Sequence, residues 1–170
     1  MKKVLFLLGH LTDLDIELMN QNGAKKNLNP KKTLIRKGEE VENIYIILSG
    51  QLSIVDRDHE VATIGPGEIV GEMSFLESRP PSVSVMASET SVVYSISREL
   101  MNEKLASDIA FRSNFYYSLA LFLSNRLRKT TNQLGYESPE DEDLIDTNVL
   151  DGVAQAGARF SQILHKFSEV

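Results

Sequence analysis

A change of rhythm near residue 97 restricts this chain more than any other feature. From residue 34 to 96 the sequence runs in short β-rich stretches, "TLIRKGE", "NIYIILSG", "QLSIVDRD", "EVATIGPG", "SVSVMA" and "TSVVYSIS", each close to a glycine or another turn signal. Such spacing predicts an antiparallel sandwich or barrel rather than a parallel sheet. The next stretch, "RELMNEKLASDIAFRSNFYYSLALFLSNRLRKTTNQLGY", has no proline and no glycine before Gly135. It predicts one or two helices. From residue 115 to 123 that segment is apolar almost all the way round, so it is expected to be buried on more than one side. One side can face the β-domain. The other can face a second copy through residues 111–134, or another helix of the same chain.

The flanks are simpler. Residues 12–22 read as a short helix, with Thr12 as N-cap, Asp13 and Asp15 suiting the helix dipole, and Gly23 ending it. After Tyr136 comes an acidic, proline-containing linker, residues 137–146. Beyond it Ile145, Val149, Val153, Ala156, Phe160, Ile163 and Phe167 recur at spacings of 4, 4, 3, 4, 3 and 4. Residues 147–170 are therefore expected to form an amphipathic C-terminal helix. Its seam over 149–167 can pair with a partner protein, pair with a second copy, or fold back on its own domain.

Charge and composition exclude several functions. The 170 residues carry a net charge of −6, and residues 137–170 account for all of it with eight acids against two bases. The remainder is balanced, so no basic field invites nucleic acid, and the tail would repel it. Arg126, Arg128 and Lys129 read as cations near a helix C-terminus. No cysteine is present, which removes disulfide, zinc-thiolate and thiol-nucleophile chemistry. His10, His59 and His165 are scattered, so no metal site is expected, and no nucleophile–base pair or phosphate loop of an enzyme stands in context. "MKKVLFLLGHL" lacks the long apolar stretch and cleavage site of a secretion signal, and no stretch approaches the roughly 20 apolar residues of a membrane span. The expected location is cytoplasmic, without a membrane partner.

Two stretches carry a more specific signal: "IRKGEEVENIYIILSGQLSIV", with glycines at 38 and 50, and "IGPGEIVGEMSFL", residues 64–76. In this order, with a short helix before and a long helix after, they resemble the cyclic-nucleotide-binding domain family, the sensor type found in the catabolite activator protein and in protein kinase A regulatory subunits. The resemblance covers roughly residues 10–136. It implies an antiparallel jelly-roll β-barrel with flanking helices, here over residues 1–136, and a regulatory ligand, cAMP or cGMP. In the catabolite-activator type a DNA-binding domain follows, but the 34 residues after Tyr136 are short and acidic for one.

The resemblance also implies a site. Gly71 would let a ligand approach the backbone. The turn after it would offer amides to a phosphate. Glu72 would accept a hydrogen bond from the ribose 2′-hydroxyl; as a plain structural residue it would only cap the turn. Binding members of the family place an arginine that pairs with the cyclic phosphate, and then a small or hydroxyl residue, ahead of the next strand. Here Pro81 stands at the arginine position and Ser82 at the hydroxyl position, with Arg79 the nearest cation. Proline offers neither charge nor amide, and losing a charge-assisted hydrogen bond costs about 1.5–3 kcal/mol. The expected site is Gly71, Glu72, Met73, Ser74, Arg79, Ser82 and Val83, with Thr130 and Thr131 as polar candidates for the base. Two functions follow: a sensor binding cAMP or cGMP weakly and signalling through its C-terminal helices, or a non-binding dimeric adaptor that keeps the fold as a scaffold.

Overall fold

A computed structural model describes residues 12–133 and, beyond them, only Gln162 and His165. The acidic linker and the seam over 149–167 lie outside the described residues, save those two positions. The order is α1 (Asp13–Asn22), β1 (Gly23–Leu28), β2 (Thr33–Ile35), β3 (Asn43–Ser49), β4 (Leu52–Asp56), β5 (His59–Ile64), β6 (Ile69–Val70), α2 (Glu72–Glu77), β7 (Ser84–Ala87), β8 (Ser91–Ser97), α3 (Arg98–Ser107) and α4 (Ile109–Gln133).

The strands form two four-stranded antiparallel sheets, in the orders β1-β8-β3-β6 and β2-β7-β4-β5. The expected antiparallel roll is thus a two-sheet sandwich with helices on one side. The first sheet is covered on both faces, and β3 shows why its sequence is apolar without a break. Side chains alternate across a strand: Ile44 and Ile46 pack with the helices, while Tyr45 and Ile47 pack between the sheets. β8 divides likewise, with Val93 inward between the sheets and Tyr94 and Ile96 toward the helices. The turn from β3 to β4 needs Gly50, whose φ is +82° and where a Cβ would lie 2.6 Å from the Thr90 carbonyl oxygen.

Three polar joints fix the ends of the helices and tie them to one another. Thr12 caps α1 in a reciprocal capping box with Asp15. Asp108 divides the long helical segment in two: its backbone N–H closes α3 onto the Lys104 carbonyl, and its carboxylate accepts from the Phe111 amide at 2.9 Å to start α4. Lys104 bridges α1 to that break, 3.5 Å from Asp15 Oδ1 and 2.7 Å from Asp108 Oδ2. From there α4 lays Phe111, Phe115, Leu119 and Phe122, all at most 2% exposed, along the first sheet and α2.

Residues 115–123 of α4 are not buried all round. Tyr116 and Tyr117 are 43% and 57% exposed, and Leu127 further along is 68% exposed. Tyrosine can place its ring edge and hydroxyl in water, so an apolar stretch containing two of them keeps a wet side.

Candidate functional site

The stretch "GPGEIVGEMSFL" folds as a turn, a two-residue strand and one short helix. Glu68 closes the turn by accepting from the Gly65 amide at 2.8 Å, and β6 then pairs with β3. Gly71, with φ +90°, turns the chain from β6 into α2; a Cβ there would stand 2.7 Å from the Asn43 carbonyl oxygen. No other residue type fits that approach without moving the backbone. At its other end α2 is held by Arg98, which donates to Ser78 Oγ at 3.0 Å and lies 6.0 Å over the Phe75 ring.

Between α2, the loop 79–83 and the second sheet lies a cavity of about 240 Å³. All seven residues expected from sequence line it: Gly71, Glu72, Met73, Ser74, Arg79, Ser82 and Val83. Ile35, Ile54 and Val85 supply an apolar wall. Glu72 and Ser74 are buried, whereas Met73, Arg79 and Ser82 are exposed at the mouth. Pro81 also lines the cavity. Its carbonyl accepts from the Gly38 amide at 2.9 Å, which pins the proline loop to the turn after β2. Among the described residues the Arg79 side chain makes no hydrogen bond or ion pair.

One cavity residue was misassigned from sequence. Arg126 is not a cation capping the end of a helix. It lies seven residues before the end of α4, lines the cavity, and donates through Nη1 to Glu72 Oε1 and through Nη2 to the Ile69 carbonyl at 3.0 Å. Its guanidinium also stands 4.7 Å from the centre of the Phe122 ring. A sequence signal for it existed. Residues 111, 115, 119, 122 and 126 recur at spacings of 4, 4, 3 and 4, so Arg126 continues the buried stripe of α4. A cation on a core stripe needs a buried acid. Thr130 and Thr131 instead turn their hydroxyls back onto the Arg126 and Leu127 carbonyls one helical turn earlier.

The electrostatics follow from burial. Glu72 is 2% exposed. Desolvation pushes its carboxyl above the ordinary carboxylate range, and the charge of Arg126 pulls it part of the way back. Among the described residues no cluster of histidine, aspartate or glutamate could hold a metal ion, and no helix is long and apolar enough to cross a membrane.

A two-sheet antiparallel sandwich with flanking helices, in which a short helix and the long C-terminal helix border a small cavity, defines the architecture. Residues 25–108 match the cyclic nucleotide-binding domain family, and the chain belongs to that family. It is 26% identical over 97 residues to a cGMP-dependent protein kinase of Plasmodium berghei (strain Anka), covering 57% of this chain and 11% of the kinase. It is 30% identical over 135 residues to the CRP-like cAMP-activated global transcriptional regulator of Mycobacterium tuberculosis (strain ATCC 25618 / H37Rv), covering 76% of this chain and 55% of the regulator. The chain thus spans about a tenth of the first relative and about half of the second. Among solved structures, a cyclic nucleotide-binding domain from Methylobacillus flagellatus KT superposes with a TM-score of 0.69 at 19% identity, over 83% of this chain and 85% of that one. That likeness shows the fold.

Proposed function

We propose that this chain is a regulatory sensor, and not an enzyme, that binds cAMP or cGMP in the cavity beside α2. Glu72 receives the ribose 2′-hydroxyl, the backbone around residues 71–74 and Ser82 receive the cyclic phosphate, and Arg79 guards the mouth. The observation that carries this reading is the buried carboxylate of Glu72, which faces the cavity and is tied to α4. A ligand that engages Glu72 touches a group bonded to α4, so occupancy of the pocket can bear on the position of the long helix. Such a contact shifts an equilibrium only if the ligand distinguishes two settings of the helix. The output passes through α3 and α4, to a second copy by way of residues 111–134 and to a partner protein by way of 149–167.

Isothermal titration with cAMP, and separately with cGMP, tests this. Saturable heat is expected with the wild-type protein and none with Glu72→Ala. Absence of heat from either nucleotide at millimolar concentration would retire the sensor reading.

A second reading is favoured by one observation. Pro81 removes a cation and an amide from the pocket, and Glu72 is already satisfied from within the chain. In that reading the fold is an unliganded scaffold, and the protein works as a dimeric adaptor through its helices.

A further inference from the structure

The cavity has a negative group without need of a ligand and a ligand site without its expected positive group. Glu72 is matched internally by Arg126, while the position that should meet a phosphate is Pro81. Among the described residues two cations line the cavity, Arg79 and Arg126. They differ in what water leaves them. Arg79 is exposed at the mouth, and an exposed ion pair alters affinity by about fivefold at best. Arg126 is 27% exposed at its side chain, held between Ile69, Glu72 and the Phe122 face. A charge-assisted hydrogen bond from such a group changes affinity about 10- to 100-fold.

We infer that Arg126 is the phosphate-binding cation of this pocket, moving from Glu72 to the cyclic phosphate as Glu72 turns to the ribose. The inference rests on the nucleotide-binding reading above and assigns the group that the reading lacks. Three features carry it. The guanidinium has five N–H donors, of which two are engaged by Glu72 and Ile69, so it can grip a second anion without first losing both bonds. Its planar fork suits the paired oxygens of a phosphate. And it lines the cavity together with Ser74 and Ser82, the residues assigned to the phosphate above. Arg126 is the lining side chain bonded to Glu72.

The occupied pocket carries one more negative charge than the empty one. The unliganded pair is Glu72 with Arg126; the liganded set is Arg126 with the phosphate monoanion, and Glu72 with a neutral hydroxyl. Glu72 thus keeps a hydrogen bond but loses its closest counter-ion, a cost that sets how tightly the nucleotide can bind.

The test compares cAMP with adenosine, which keeps the base and the 2′-hydroxyl but carries no phosphate. Both are titrated calorimetrically into wild type, Arg126→Gln, Arg126→Lys and Arg79→Gln. Arg126→Gln is expected to lose about 10- to 100-fold in affinity for cAMP while adenosine binds as well as before or better, so that the preference for the phosphate collapses. Arg79→Gln is expected to keep that preference within about fivefold. Should Arg126→Gln fail to fold, Arg126→Lys keeps the charge beside Glu72 and loses only the fork, and a smaller fall in the same ratio is expected. Equal losses for both ligands in the Arg126 variants would make it a structural residue and overturn the inference while the sensor reading stands. Collapse of the ratio in Arg79→Gln alone would overturn it as well. If wild type binds neither ligand, nor cGMP in the same titration, both readings fall.

Discussion

Burial makes Glu72 the residue most sensitive to its surroundings. Its native carboxyl holds a proton more readily than the same group in the unfolded chain, whose ordinary value is 4.5. The folded state therefore binds more protons than the unfolded one above that value, and stability falls as pH rises through the window between the two. Arg126 limits the fall by favouring the ionised form. Removing it raises the native value further, widens the window, and leaves the carboxylate unmatched above it. Arg126→Gln is thus expected to unfold close to wild type near pH 4 and to be progressively less stable toward pH 8. There the deficit should reach about 3 kcal/mol, the low end for breaking a buried pair because Arg126 is 27% exposed. Urea melts of both proteins across that range check it; a deficit independent of pH would mean that Glu72 does not titrate in response to Arg126. This pairing was half legible in the sequence. Glu72 stood out because glycines and a strand frame it, whereas Arg126 lies 54 positions away and only the fold brings them together.

At the level of elements, α2 and α4 meet through aromatic rings. Phe115 of α4 stands edge-on to Phe75 of α2 with centroids 6.1 Å apart, and stacks on Phe111 at 5.8 Å. It is 1% exposed. Phe115→Ala should cost about 3–5 kcal/mol in equilibrium unfolding, and a cost near 1 kcal/mol would mean that α4 sits loosely on α2. Glycine punctuation and apolar runs made most strands readable. Two escaped. β1, "GAKKNL", pairs along its whole length with β8 but buries only Leu28, so no apolar alternation marks it. β6 has two residues, too few for any period. The division between α3 and α4 was open in the sequence because Asp108 can sit inside a helix, and its capping bonds appear only in three dimensions.

For the whole molecule, the exposed side of α4 matters most. Tyr116 is 43% exposed and Leu127 68%, and they lie on the segment proposed to meet a second copy. If they form that contact, Leu127→Glu should shift the protein from dimer to monomer in light scattering behind size exclusion, with its far-ultraviolet circular dichroism unchanged. An unaltered mass would move the contact elsewhere or deny it. The break at Asp108 has a further mechanical consequence. Taking it as the pivot, α4 extends about 36 Å at 1.5 Å per residue, and Arg126 grips the cavity about 25 Å out. A ligand pushing there gains hardly any amplification, since Gln133 travels only about 1.4 times as far. What it gains is torque. A modest force applied so far from the pivot can swing the whole helix, as a hand at the edge of a door moves it more easily than a hand beside the hinge.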